Sequence, residues 1–201
     1  MKWLKIVVFL YITITMYADC KNYTKHKRWE QISNQRIFSV SGLVHYKNGF
    51  LIVHDNKRDN QPRISFFKNN KISPLIWPDS SLPYDLEAIS IIPSFKNQYI
   101  LMESTGKCYK IKIEQRNNQI TLMNVFQLET NEGMNLEGCI IVKGNFGYKI
   151  MYGDRGSDLR KSTLFIGDFN PVNNNITNLV KHIIDLPAPN EHKRNIADLG
   201  I

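Results

Sequence analysis

Residues 85–128 read DLEAISIIPSFKNQYILMESTGKCYKIKIEQRNNQITLMNVFQL, four short apolar runs separated by turn formers. The runs at 86–92, 99–103, 108–114 and 121–128 are each of strand length. Between them stand Pro93-Ser94-Phe95-Lys96-Asn97, Ser104-Thr105-Gly106-Lys107 and Arg116-Asn117-Asn118-Gln119. The third run alternates apolar and polar residues, as a half-buried antiparallel strand does. The second, Tyr99-Ile100-Leu101-Met102, is apolar throughout, which predicts a strand covered on both faces. The stretch therefore predicts a four-stranded antiparallel unit with no helix.

The same plan occurs on either side. Upstream, Val40-Ser41-Gly42-Leu43-Val44 is followed by Phe50-Leu51-Ile52-Val53-His54-Asp55-Asn56. Downstream, Asn135-Leu136-Glu137-Gly138-Cys139 is followed by Tyr148-Lys149-Ile150-Met151-Tyr152-Gly153-Asp154-Arg155. Gly42, Ala88 and Gly138 mark equivalent positions, 46 and then 50 residues apart. Later strands are expected at 63–67 and 72–77 in the first copy, and at 162–169 and 179–186 in the third. A fourth copy opens at Asn195-Ile196-Ala197-Asp198-Leu199-Gly200-Ile201.

Repeats of this length, each four antiparallel strands, are the signature of β-propeller blades. A sandwich of short strands would not require the same small residue at the start of every copy. The expected fold is all-β, a propeller occupying residues 21–201. Closed rings take 4–8 blades, whereas this chain supplies three and the start of a fourth. The expectation is thus an incomplete ring, cut short at its C-terminus, with an outer strand at Trp29-Glu30-Gln31-Ile32.

In such a ring Glu87 and Glu137 share one blade position and project toward the axis from neighbouring blades. Ser41 holds that position in the first copy, and Ala197 or Asp198 in the fourth. Carboxylates gathered at a channel mouth suit a hard cation such as calcium. They also suit an acid/base pair, or a structural role accepting backbone N–H groups, and the sequence leaves all three open. A second recurrent polar position ends each second strand: His54-Asp55-Asn56, Glu103-Ser104-Thr105 and Gly153-Asp154-Arg155-Gly156. These are expected at one rim, where loops carry function. Asp55, Glu103 and Asp154 are candidate ligand or cation contacts there. Arg155 could grip an anion or pair with a carboxylate. The histidines, His54 included, show no metal-ligand spacing and are expected at the surface or rim.

Lys2 and Lys5 flank the start of an apolar run over residues 6–17, followed by Ala18. Residues 1–20 thus read as a secretory signal peptide, too short to span a bilayer. Tyr17-Ala18-Asp19-Cys20 also has the outline of a lipobox, so Cys20 is either removed with the leader or lipidated as an anchor. Export predicts a secreted, periplasmic or cell-surface protein. In an oxidising compartment Cys108 and Cys139, from adjacent copies, could bond or stay as two buried thiols. The formal charge of +8 and pI near 9.3 invite nucleic acid as a partner. The basic residues are scattered through turns such as Lys47-Asn48-Gly49 and Lys68-Asn69-Asn70-Lys71, however, as on a solvated surface. No nucleophile elbow, phosphate loop or zinc-protease motif is present.

The order Ser41-Gly42-Leu43, the acid Asp55, Asp85-Leu86-Glu87-Ala88-Ile89 and Asn135-Leu136-Glu137-Gly138 resembles the phytase-like β-propeller group that includes the SdiA-regulated bacterial proteins. The likeness covers about residues 38–156. It implies an exported propeller, often with a cation at the ring, and phytase- or esterase-like activity in some relatives. Glu87 and Glu137 match the motif glutamates and Asp55 the first-blade acid, while Ala88 stands where the pattern has Gly. Two functions follow. One is a non-catalytic module binding a small molecule, cation or protein at the channel mouth. The other is a calcium-dependent hydrolase, with Glu87, Glu137, Asp55 and Asp154 holding metal and Arg155 meeting phosphate.

Overall fold

The twelve strands of the computed structural model fall into three sheets of four, each a simple up-and-down meander. Residues 32–157 and 160–184 are described. The expected leader, Cys20, Trp29 to Gln31 and the 195–201 motif lie outside them. The first sheet holds β1 (Val40–Tyr46), β2 (Gly49–His54), β3 (Ile64–Lys68) and β4 (Lys71–Pro74). The second holds β5 (Leu86–Ile91), β6 (Gln98–Glu103), β7 (Lys107–Ile113) and β8 (Ile120–Gln127). The third holds β9 (Leu136–Gly144), β10 (Gly147–Asp154), β11 (Ser162–Asn170) and β12 (Asn175–Ile184). A single 3-10 turn over Arg36–Phe38 precedes β1. All pairings are antiparallel. The last strand starts at Asn175, earlier than the sequence predicts, because the asparagine-rich turn before it is tight and pairing resumes at once as Asn170↔Asn175.

The first strands of the sheets are neighbours, with β5 packed between β1 and β9. The sheets are therefore blades around a hub, and the chain is an incomplete β-propeller of three blades among the described residues. Strand alternation explains the packing. On β6, Tyr99 and Leu101 enter a core shared with Leu51, Val53 and Ile64 of the first blade. The intervening Ile100 and Met102 enter a second core with Ile141, Ile150, Tyr152 and Phe165 of the third. That is why Tyr99-Ile100-Leu101-Met102 is apolar at every position. The far face of the third blade carries another apolar row, Ile140, Met151, Ile166 and Val180 in register. Val180 is half exposed there, so no blade lies against this row among the described residues.

The repeated small residue has a steric cause. A Cβ on Gly42 would sit 3.1 Å from the Ile89 nitrogen and 3.2 Å from the Ala88 Cα. Inner strands of adjacent blades converge at this point, which leaves room for little more than hydrogen or methyl. Asparagine in the turns is equally physical. Asn69 and Asn70 both have positive φ, 49° and 58°, within the two-residue hairpin closed by Lys68↔Lys71. A type I′ turn needs this conformation at both central positions, and Asn adopts it more readily than most residues. Asn97, Asn118 and Asn174 are left-handed singly, each at or near the end of a longer turn between strands.

Candidate functional site

Each inner strand has a β-bulge at the same place. The ladder skips one residue between Val40 and Gly42, between Leu86 and Ala88, and between Leu136 and Gly138. The skipped residues are Ser41, Glu87 and Glu137. A bulge bends the strand and re-aims the unpaired side chain, so three blades present three equivalent side chains near the hub. Ser41 Oγ donates to the Leu86 carbonyl at 2.5 Å, linking the first blade to the second. Glu137 accepts from Asn135 Nδ2 at 2.6 Å and from Arg155 Nε at 3.2 Å. Glu87 meets no protein donor among the described residues.

Around Glu87 the charge is predominantly negative. Burial is the main cause that pushes its carboxyl up to about 8, and repulsion from Glu137, Asp85 and Asp55 adds to it; Arg155 opposes. Glu137 is also raised, first by burial, with Arg155 and Asn135 pulling the other way. The neighbouring acids have partners. Asp55 takes both guanidinium nitrogens of Arg36, at 2.9 and 3.3 Å. Asp85, left-handed at φ 59°, binds Lys57 at 2.9 Å and Ser104 Oγ at 2.8 Å. Of these four acids, Glu87 is the one without a hydrogen-bond or ion-pair partner among the described residues.

This arrangement fixes a pH dependence. Glu87 holds its proton more tightly in the folded state than its ordinary value of 4.5 allows in the unfolded chain. The native state therefore binds more protons between pH 4.5 and about 8, and stability falls as pH rises through that window. Glu87→Gln is expected to flatten this slope, so that melting temperatures of variant and wild type diverge in the variant's favour from pH 5 to pH 9. Parallel curves would show that the carboxyl is not held as described.

The residues ending the second strands do a different job from the expected one. His54, Glu103 and Asp154 oppose Val40, Leu86 and Leu136 in the ladders, so they are equivalent, and all three are buried. Glu103 accepts from the Tyr84 amide at 2.8 Å, the Tyr109 hydroxyl at 2.5 Å and the Thr105 hydroxyl at 3.2 Å. Asp154 accepts from the Asn135 amide at 3.0 Å and pairs with Arg160. In both blades the acid ties the backbone just ahead of the inner strand to the end of the second strand. His54, placed at the rim by the sequence reading, is enclosed: Nε2 meets Ser65 Oγ at 2.8 Å and Nδ1 the Ser39 carbonyl at 3.3 Å. Burial holds its imidazole below the usual range.

The structure thus brings Glu87, Glu137, Asp55 and Arg155 into one electrostatic neighbourhood and uses Glu103 and Asp154 as internal latches. Asp85, Lys57, Arg36 and Asn135 are functional neighbours that sequence reasoning passed over. Asp85 and Asn135 carried a signal, an Asx two residues before each glutamate. Arg36 and Lys57 come from loops with no repeat counterpart. Among the described residues no group of three acids, histidines or cysteines is placed to hold a metal ion. Cys108 and Cys139 are free buried thiols. Burial raises both, Cys139 to about 12, which keeps them protonated.

Neither a family model nor a curated protein matches this chain. Among solved structures it is similar to the Neurospora crassa Pan2 WD40 domain, at 11% identity and a TM-score of 0.45. That match covers 70% of this chain and 35% of the other. The propeller assignment stands on the three meander sheets and their shared bulge. No helix among the described residues is long and apolar enough to cross a membrane.

Proposed function

We propose that this chain is an exported, non-catalytic binding module that receives a cationic group at the hub rim, between Glu87 and Glu137. The observation that carries the reading is Glu87 itself: a bulged, partly buried carboxylate beside a second one, with no donor among the described residues. A buried-side carboxyl with no partner is costly when ionised, and a ligand ammonium or guanidinium would supply the missing charge-assisted hydrogen bonds. Calcium, the cation the sequence suggests, takes 6–8 oxygens. The described residues do not gather that set, so an organic cation, such as a basic side chain of a protein partner, fits better. Support for export comes from the leader-like residues 1–20.

The hydrolase reading has no favouring observation. Asp154 is enclosed and engaged by Arg160, and Arg155 is spent on Glu137 rather than open to phosphate.

Titrations with N-acetyl-arginine amide, N-acetyl-lysine amide and calcium chloride test the proposal. Binding of an organic cation is expected to strengthen as pH rises toward 9, because only the ionised carboxylate attracts it. Glu87→Gln is expected to weaken binding by about tenfold or more, the equivalent of one charged hydrogen bond. Binding unaffected by Glu87→Gln and Glu137→Gln would remove the site. Calcium-dependent turnover of phosphoesters that is lost in Glu137→Gln would replace the module by the hydrolase.

A further inference from the structure

Five of the basic turns lie at one end of the blades. In an up-and-down meander the first-to-second and third-to-fourth turns share an end. Lys47-Asn48, Lys68-Asn69-Asn70-Lys71, Lys96-Asn97 and Arg116-Asn117-Asn118 are all such turns, and so is the one after Lys143. Glu87 and Glu137 lie toward the opposite ends of their strands. The far rim is therefore lined by basic turns, whereas at the hub rim the acids stand among their own partners Arg36, Lys57, Arg155 and Arg160.

Contacts make the far rim continuous. Lys47 Nζ donates to the Gln115 carbonyl at 2.6 Å and to Asn118 Oδ1 at 2.8 Å, joining the first blade to the second. Lys143 Nζ donates to Ser94 Oγ at 3.1 Å, joining the third to the second. Between these two bridges the turns of the second blade border an open cleft of about 670 Å³. Lys96, Lys112 and Arg116 line it with Asn97 and Asn117, and Glu114 is its one acid. Glu114 pairs with Lys112 at 3.2 Å. Lys96 and Arg116 have no ion-pair partner among the described residues, which leaves two cations facing one cleft.

We propose that this cleft is a binding site for a phosphate-type oxyanion, carried by a polyphosphate or a phosphate ester. Arg116 offers a planar fork that matches two phosphate oxygens, and Lys96 adds a point charge on the other wall. The side-chain amide of Asn97 supplies a neutral donor, while that of Asn117 is engaged by Gln119 within the turn. Lys47, held at the margin through Gln115, and Lys143 beyond Ser94 extend the positive field that draws an anion in. The site lies on the opposite rim from the cation site and stands independently of it.

The test uses tripolyphosphate as the free probe and vesicles containing phosphatidic acid as the headgroup-bound one, at low salt of about 50 mM. Tripolyphosphate is expected to bind the wild type and shift amide resonances of Asn97, Gln115, Arg116 and Asn117. The double variant Lys96→Gln with Arg116→Gln is expected to weaken binding by about tenfold or more. A charge-matched control, Lys107→Gln with Lys181→Gln, should bind as the wild type does. Preference for vesicles or for the free probe identifies the source of the phosphate. Failure of both probes to bind overturns the proposal. Equal losses in the two double variants, or resonance shifts centred on Glu87, would overturn it too. The resonance map on the wild type decides even where a variant folds poorly.

Discussion

Asp154→Ala is expected to lower the free energy of unfolding by about 3–5 kcal/mol. Asp154 has no exposed surface, and its two oxygens are taken by the Asn135 amide and by Arg160. Removing it takes from Arg160 its carboxylate partner, leaving the Gly133 carbonyl at 2.8 Å, and leaves a backbone N–H ahead of β9 without its acceptor. Arg155→Ala, one residue away, is the contrast. Its side chain is half exposed, so the variant should cost about 1 kcal/mol or less. Urea unfolding of the two variants separates the readings: similar small losses would show that Asp154 is not a latch. A double cycle with Arg160→Ala would then apportion the pair.

Phe165→Ala should cost about as much, near 3–5 kcal/mol, through an unrelated mechanism. The Phe165 ring stacks on Tyr152 with centroids 4.7 Å apart and planes within 3° of parallel. Both residues are fully buried between the second and third blades. Tyr152 is itself fixed by its hydroxyl, which donates to the Glu129 carbonyl at 3.0 Å. Truncation leaves a cavity whose walls belong to two different sheets, and these cannot collapse without tilting one blade against the other. Phe146, fully exposed in the turn after β9, is the control and should be neutral on truncation. Thermal or urea denaturation reads both. A loss below about 1 kcal/mol for Phe165→Ala would mean that the third blade does not pack on the second as a wedge.

The two rims differ in how their charges are paired. At one end basic turns hold Lys96 and Arg116 without ion-pair partners among the described residues, while at the other the acids around Glu87 are matched by Arg36, Lys57 and Arg155. The latches matter to this arrangement. Glu103 and Asp154 hold the segments that lead into β5 and β9, and those segments carry Asp85 and Asn135 to within reach of the site. The latches thus set the backbone on which Asp85 and Asn135 stand.

Sequence alone was enough for the blade plan. Period-two alternation, turn residues at regular intervals and a small residue at positions 42, 88 and 138 specify meanders that must stack, because strands such as β6 are apolar on both faces. It also singled out Glu87 and Glu137, since repetition equates positions whatever their surroundings. What it did not hold was the fate of the polar residues after the second strands. An acid after an apolar run reads as a rim residue, yet Glu103 and Asp154 turn inward, because buried amides ahead of the inner strands need acceptors there. Only the tertiary structure decided which acids around the bulges keep partners and that Glu87 has none among the described residues. Partners such as Arg36, Lys57 and Arg155 reach the hub rim from separate loops, and electrostatics depends on distance in space, which repeats in a sequence do not encode.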